Sequence, residues 1–275
     1  METLTRPFDP RAPADGPLVP FRLTVLAPFA ALGLLGVSAG RLGLASLEVV
    51  KILGTVSFHG GLLAASLAAA WEGAPGWGAP AAWLALALLT AAAGCVAAPW
   101  GCLAYLSPLV VMGCLVRRRP ECLRMGLAPH ADWRAVGLGA AVGGFLGVHL
   151  LVSASRTFGY PVRLGPPPPY LSALLYDAGA NVLSAECFFR GTLFNRWQRR
   201  WSFWPGALAA TGLSLVRYLL DPALPGVVEL LVGAVFYLAL LSLSGCALLW
   251  YSGSLLPSLA ASLAFFGAYR MLHVR

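Results

Sequence analysis

The chain consists of long apolar stretches separated by short segments rich in proline, glycine or arginine. Most stretches are about as long as the 20 residues that an α-helix needs to cross the hydrocarbon core of a bilayer. They occupy 21–40, 48–71, 81–116, 135–152, 170–194, 204–220, 227–251 and 255–272. Alternation of apolar and polar residues at every second position, which is typical of strands, is absent. The pattern predicts an all-α fold, a polytopic transmembrane helical bundle with about eight or nine spans.

Proline and glycine positions decide how these stretches divide. The stretch 81–116 is longer than one span requires, and the Pro-Trp-Gly sequence at 99–101 is a place where a helix can break. Two helices there would give about nine spans in total, and one helix about eight. Four consecutive prolines from Pro166 predict that 153–169 is a non-helical linker. The small residues of 135–152 predict a helix that packs closely against a neighbour.

Composition and charge support a membrane protein. The chain has 59% hydrophobic and 11% charged residues, whereas soluble domains carry about 25% charged residues. The net charge of +8 comes from basic residues at the ends of apolar stretches, so we expect contact with the lipid bilayer and not with nucleic acid. The predicted organisation is a polar proline-rich tail at 1–20, amino-terminal spans at 21–116, a basic cytoplasmic segment at 117–134 and a transmembrane core at 135–275.

Residue types that bind metals or cofactors are scattered along the chain. The six cysteines form no Cys-x-x-Cys pair and lie mostly within or beside apolar stretches, so we interpret them as packing residues. His59 and His149 each stand alone in a glycine-rich stretch, which favours a structural or water-facing role over metal ligation. The sequence therefore predicts no cofactor and no metal site.

Ionisable side chains collect in the apolar stretches of the second half. A charge at the bilayer centre costs at least about 2.5 kcal/mol, so each such residue is a candidate for a functional role. Glu186 and Arg190 are four residues apart with the acid first, which is the order and spacing of a helical ion pair. We expect these two side chains to neutralise each other.

A second polar face precedes this pair on the same stretch. Asp177, Asn181 and Ser184 share a helical face with Ala185. Either this face lines a polar cavity, or Asp177 lies near the lipid headgroups while Asn181 bonds a neighbouring helix. Asp177 is a candidate base in the first case.

The sequence AECFFRGTLF at 185–194 is similar to a known protease motif. It resembles the first motif of the CPBP intramembrane endopeptidases, the CAAX-protease and bacteriocin-processing family, which reads Glu-Glu-x-x-x-Arg with Phe before the Arg and Gly after it. The resemblance extends from about Arg117 to the end of the chain, because a basic segment ending in Met-Gly-Leu at 125–127 precedes a span and the motif stretch. It implies a CPBP-like core at 135–275 and a place in the bacterial inner membrane.

In active members of this family the first Glu activates a water molecule, and a His on the next span helps to hold it. A later His and Asn polarise the scissile carbonyl, as peptide hydrolysis requires. Glu186 and Arg190 match the second Glu and the Arg of the first motif. The positions that match the four catalytic residues are Ala185, Arg217, Ser262 and Phe266.

The matches for the later motifs depend on the register chosen. Leu213 and Arg217 fit the Phe-x-x-x-His motif, with Ser214 and Tyr218 as the alternative one residue further on. Ser262 follows a Gly-Ser-Leu-x-Pro-like sequence at 253–257. Serine is a poor base and phenylalanine donates no hydrogen bond. No histidine occurs between residues 181 and 271 in any register.

The resemblance with these replacements implies a degenerate family member, a pseudoenzyme. Such a protein would bind or regulate a membrane-protein tail, or an active protease or sorting enzyme of the same family, as in bacterial systems that process C-terminal sorting tails. The alternative is an active endopeptidase in which Asp177 or Glu186 is the base and Arg217 or Tyr218 steadies the oxyanion. A small-molecule transporter is less favoured, because we find no inverted repeat.

Overall fold

The computed structural model of the protein describes residues 17–98, 100–128, 132–163, 165–219 and 228–272, with 228–231 described by their backbone only. Within these ranges the chain is mainly helical, and the only β-pairing is an isolated bridge between Val162 and Leu272. The predicted all-α membrane fold is confirmed, while most of the predicted tail lies outside the described residues. The α-helices are α1 (Ala27–Arg41), α2 (Leu47–Ala70), α3 (Gly78–Ala97), α4 (Leu106–Arg118), α5 (Trp133–Phe158), α6 (Pro167–Tyr176), α7 (Leu183–Ala185), α8 (Asn195–Trp201), α9 (Phe203–Leu219), α10 (Val228–Ser252) and α11 (Leu256–Tyr269).

Helical turns of other types extend several of these helices. 3₁₀ segments at Leu23–Leu26 and Gly101–Tyr105 lead into α1 and α4, and another at Pro120–Met125 follows α4. Two π-helical segments, Asp177–Val182 and Glu186–Phe194, flank α7. Residues 167–201 are therefore helical without a gap, and we call this stretch the motif helix. π-helical turns are rare and often occur at functional sites.

The ends of α2 and α5 follow local capping rules. Ser46 Oγ accepts a backbone N–H at 3.3 Å at the start of α2. Asp132 Oδ1 accepts two backbone N–H groups at 3.0 and 3.4 Å at the start of α5, and these bonds satisfy donors that have no partner within the helix. Gly159 ends α5 with a φ of 70°, a left-handed conformation that glycine adopts without strain.

The long apolar stretch 81–116 forms two helices. α3 ends at Ala97, and the backbone is extended at Ala98, with a φ of −151°. Gly94 and Gly101 then approach so closely that a Cβ atom on Gly101 would overlap the Gly94 carbonyl group. This break is the feature on which the nine-span alternative depends. Pro99 itself lies outside the described residues.

The prediction that 153–169 is a non-helical linker is wrong at both of its ends. α5 continues to Phe158, and α6 begins at Pro167. Proline is compatible with a first helical turn, because the N–H groups of that turn have no intrahelical acceptor. The prolines therefore begin a helix here.

Six helical segments of the described chain are long and apolar enough to cross a membrane, judged by length and composition. α11 is apolar as well but has only 14 residues. The protein is therefore an integral membrane protein. The six segments are Leu23–Arg41, Leu47–Ala70, Gly78–Ala97, Gly101–Arg118, Trp133–Phe158 and Val232–Ser252.

The chain divides into two compact units, each made of separate stretches. The amino-terminal unit comprises Val19–Cys122 and Pro167–Phe188, which contain α1 to α4 and the first part of the motif helix. The carboxy-terminal unit comprises Met1–Leu18, Leu123–Pro166 and Phe189–Arg275, which contain α5 and α9 to α11. The boundaries predicted from composition at 20, 116 and 134 stay predictions.

The carboxy-terminal unit is centred on the contact between α5 and α11. Gly139 and Gly143 face the backbone carbonyl groups of Pro257 and Ala261, and a Cβ atom on either glycine would overlap them. Close backbone approach increases van der Waals contact, which drives helix association in lipid. The close packing predicted for 135–152 is confirmed.

A single methyl group should therefore destabilise the protein when it is placed on this contact. Gly143→Ala puts a Cβ atom against the Ala261 backbone, whereas Gly144→Ala has open space around it. We expect Gly143→Ala to lower the free energy of unfolding by about 1 to 3 kcal/mol and Gly144→Ala to leave it almost unchanged. Thermal or denaturant unfolding of the purified protein in detergent measures both. Equal stability of the two variants would contradict the close approach.

Candidate functional site

The polar face predicted on the motif helix lies inside the amino-terminal unit. Asp177 and Ser184 are both 0% exposed, and Asn181 is also buried. The Asn181 side-chain amide donates to Asp177 Oδ1 at 2.9 Å, and the Ser184 hydroxyl lies 3.2 Å from the Asn181 carbonyl oxygen. The three buried side chains thus form one row along the first π segment and α7, in which Asn181 bonds Asp177 through its side chain and Ser184 through its backbone carbonyl.

His59 of α2 joins this row, which the sequence did not reveal. His59 Nδ1 lies 2.8 Å from Ser184 Oγ, and Nε2 lies 2.8 Å from the Tyr176 hydroxyl. His59 stands alone in the sequence of its own span, but the fold brings it to residues 125 and 117 positions away in the chain. The only signal in the sequence was an ionisable residue within a span, which identifies a candidate without its partner.

The Ser184 hydroxyl can donate to only one of its two neighbours at a time. When it donates to the Asn181 carbonyl, His59 Nδ1–H donates to Ser184 Oγ and the Tyr176 hydroxyl donates to His59 Nε2. Each group in the chain then both donates and accepts in the same direction, and hydrogen bonds arranged in this way strengthen one another. In the opposite direction Ser184 donates to His59, which is the arrangement of a serine nucleophile with its base.

A glycine holds the motif helix close to the neighbouring 3₁₀ segment of the same unit. A Cβ atom on Gly179 would overlap the backbone carbonyl of Tyr105. The Tyr105 and Tyr176 rings also meet edge to face, with centroids 5.5 Å apart. The ring contact positions Tyr176 next to His59. The missing side chain of Gly179 allows the first π segment to lie close to the backbone of the 3₁₀ segment Gly101–Tyr105.

Ala185 and Glu186 follow this row directly. Both side chains are 2% exposed. Ala185 ends α7, and Glu186 begins the second π segment. The alanine methyl group occupies the position that matches the family's water-activating carboxylate. The ion pair expected between Glu186 and Arg190 stays a prediction.

Arg190 lies in the interior of the carboxy-terminal unit, beside a serine hydroxyl of α9. Its side chain is buried, and Nη1 lies 3.5 Å from Ser214 Oγ of α9. Gly245 of α10 leaves room there, because a Cβ atom on it would lie 3.5 Å from Arg190 Nε and 2.5 Å from Ser258 Oγ. The arginine of the first motif thus contacts α9 and α10 and serves to connect helices.

The positions that match the later motifs meet around an aromatic ring of the same unit. The Arg217 guanidinium carbon lies 4.6 Å from the centroid of the Tyr218 ring, and the Tyr218 and Phe266 ring centroids are 6.0 Å apart. Ser262 is buried one turn before Phe266 on α11. Arg217 and Phe266, two of the positions that match the later motifs, are thus held by a cation–π contact and by ring packing on Tyr218.

The Met-Gly-Leu segment at 125–127 and the Gly-Ser-Leu-x-Pro-like segment at 253–257 contact each other. The Leu255 N–H donates to the Gly126 carbonyl oxygen at 2.8 Å. Gly126 has a φ of 78°, a left-handed conformation that favours glycine. The Asn195 amide donates to the Arg124 carbonyl at 2.7 Å and ties the motif helix to the same segment.

The thiol of Cys122 lies in the 3₁₀ segment outside the spans. Burial raises its pKa to about 11, with the nearby Glu121 charge adding to the increase and Arg119 opposing it. The thiol is therefore protonated near pH 7, whereas the thiolate is the form that acts as a nucleophile or metal ligand.

Comparison with known protein families agrees with this arrangement. Residues 167–265 match the family model described as type II CAAX prenyl endopeptidase Rce1-like, which covers the motif helix, α9, α10 and most of α11. The chain is thus a CAAX-protease-like membrane protein, and the match over this region supports the resemblance to the CPBP family that the motif at 185–194 indicated. No curated protein and no solved structure matches it significantly.

The contact between His59 and Ser184 should be measurable as a coupling free energy. In a double-mutant cycle of His59→Leu and Ser184→Ala we expect the two losses of stability to be non-additive by about 0.6 to 1.7 kcal/mol, the range for hydrogen bonds between membrane helices. Unfolding of the purified protein in detergent measures the cycle.

Ser66→Ala is the matched control for this cycle. Ser66 is also buried on α2, but its hydroxyl donates to the Leu62 carbonyl of its own helix at 2.8 Å. His59→Leu and Ser66→Ala should therefore be additive. Additivity in both cycles would mean that His59 and Ser184 do not interact.

Proposed function

We propose that this CAAX-protease-like protein binds a membrane-protein tail, and regulates an active protease or sorting enzyme, without hydrolysing peptide bonds itself. The observation that carries the proposal is the contact of Arg217 and Phe266 with the Tyr218 ring. This contact supports a packing role for two positions at which an active member would carry the donors that peptide hydrolysis needs.

The chemistry of the individual positions supports a non-catalytic role. The Ala185 methyl group cannot take a proton from water. The Arg217 guanidinium is always protonated and cannot act as a base. The Phe266 ring offers no hydrogen bond to a developing oxyanion. At these three of the four matched positions the side chains offer neither the base nor the hydrogen-bond donor that an active member uses, while the chain still forms the motif helix, α9 and α11.

The binding role follows from the helices that remain. Active members of the family hold a peptide among these helices before they cleave it, and binding needs shape and hydrogen bonds but no base. A tail bound in this way would be protected or presented to a partner enzyme. By analogy with bacterial tail-processing systems, that partner is an active protease or sorting enzyme in the bacterial inner membrane.

The proposal predicts binding without turnover. The full chain, purified and reconstituted in phosphatidylethanolamine and phosphatidylglycerol vesicles, is mixed with a fluorescent farnesylated peptide that ends in a CAAX sequence. We expect saturable binding, displaced by unlabelled peptide, and no more cleavage product by mass spectrometry than in protein-free vesicles. Product formed by the wild type and lost on substitution of a buried polar residue would overturn the proposal.

The second candidate function is an active endopeptidase with relocated residues. Two observations favour it, the distance of 2.8 Å between Ser184 and His59 and the buried carboxyl groups of Asp177 and Glu186. In this case Asp177 or Glu186 is the base. The complete burial of Ser184 and Asp177 weighs against it, because a substrate must reach the reacting atoms.

The same vesicle assay separates the two functions. If the second candidate is correct, Asp177→Asn or Glu186→Gln lowers the cleavage rate about 100-fold or more, which is the effect of losing a general base. Peptide binding should survive these substitutions, since each keeps the size of the side chain. Labelling by a fluorophosphonate that disappears in Ser184→Ala would identify a serine nucleophile instead.

A further inference from the structure

A histidine of the carboxy-terminal unit is exposed within a membrane span. His149 belongs to α5, and at 1.5 Å per residue it lies about 24 Å from Trp133 and about 14 Å from Phe158. Its side chain is exposed, and its neighbour Phe145 is 67% exposed. The imidazole therefore faces lipid at a depth that an aqueous loop does not reach.

Two hydroxyl groups fix the orientation of this imidazole. The Tyr237 hydroxyl of α10 lies 2.5 Å from His149 Nδ1, and Ser153 Oγ lies 3.1 Å from the Tyr237 hydroxyl. When Ser153 donates to Tyr237 and Tyr237 donates to Nδ1, each hydroxyl hydrogen has an acceptor. This assignment from the network places the ring proton on Nε2.

The Nε2–H group is then directed away from its own protein. His149 Nε2 makes no hydrogen bond to any residue in the described ranges. Lipid tails cannot accept a hydrogen bond, so a donor held at this depth costs free energy until an acceptor reaches it. Polar side chains that face the inside of a membrane are for this reason candidates for a binding role.

The side of α5 around His149 is exposed over about two turns. Ala141, Phe145 and His149 recur at every fourth position, and each step turns about 40° around the helix axis, so these three residues lie on one side of α5. All three are exposed, and the small side chain of Ala141 lets another helix approach. We call this side of α5 the His149 face.

We propose that the His149 face binds a transmembrane helix of a partner protein, and that this helix presents an amide or carboxyl oxygen to His149 Nε2. Hydrogen-bond complementarity selects such a helix over lipid and over a purely apolar helix. Phe145 on α5 and Phe236 on α10, both exposed, supply packing around the hydrogen bond. The inference does not depend on whether the protein hydrolyses peptides.

A pair of synthetic peptides tests this inference on the full chain. One is a leucine- and alanine-rich transmembrane peptide with a single asparagine at its centre, and the other has leucine at that position. Energy transfer between labelled protein and labelled peptide in phosphatidylcholine vesicles gives the two affinities. We expect the asparagine peptide to bind about three- to tenfold more tightly, as one hydrogen bond between membrane helices provides.

Three variants locate the binding site. His149→Leu should reduce the affinity for the asparagine peptide to that for the leucine peptide, and Tyr237→Phe should reduce it in part because the imidazole loses the hydroxyl that orients it. Leu208→Ala, a change at an exposed position on α9, is the control and should have no effect. Unchanged thermal unfolding of each variant shows that the fold is intact.

Several results would overturn the inference. Equal affinities of the wild type for the two peptides would do so, even if His149→Leu fails to fold. Unchanged binding by His149→Leu would also do so. Energy transfer between two labelled copies of the protein that is lost in His149→Leu would mean that the face joins copies of this chain, which contradicts a partner helix.

Discussion

The backbone contact between α5 and α11 is the constraint on which the carboxy-terminal unit depends. Lipid tails are as apolar as leucine, so two helices in a membrane associate through shape and hydrogen bonds and not through exclusion of water. Gly139 and Gly143 remove the side chains that would hold α11 away. The position of α11 then fixes Ser262 and Phe266. The hydrogen bond from the Leu255 N–H to the Gly126 carbonyl connects the start of α11 to the chain just after the 3₁₀ segment that follows α4.

The two units hold their polar side chains in different ways. In the amino-terminal unit, Tyr176, His59 and Ser184 form hydrogen bonds that connect the motif helix to α2. In the carboxy-terminal unit, Arg217 is held by the face of Tyr218. The hydrogen bonds of the first group connect two helices directly, whereas in the second group the Tyr218 ring that holds Arg217 connects α9 to Phe266 of α11.

Much of the fold could be predicted because lipid imposes strict rules on a sequence. Span-length apolar stretches, the glycine-rich helix and the motif at 185–194 all leave local signals. The contact of His59 with Ser184 leaves none, because it joins residues 125 positions apart. The helical start at Pro167 was missed because a run of prolines in the sequence does not show whether the prolines form a loop or the first turn of a helix. Predicting the ring contact of Tyr218 and Phe266 would require the relative positions of α9 and α11.

The π segment Asp177–Val182 absorbs one residue without changing the register of the helix on either side of it. A π turn contains an additional residue compared with the α-helical turn that it replaces. Deleting one residue there would return the segment to regular α-helix, in which Tyr176 and Ser184 would be about two turns apart. Both side chains would then stay on one side of the helix, within reach of His59. Related sequences can therefore lose one residue from this segment and keep the His59 contacts.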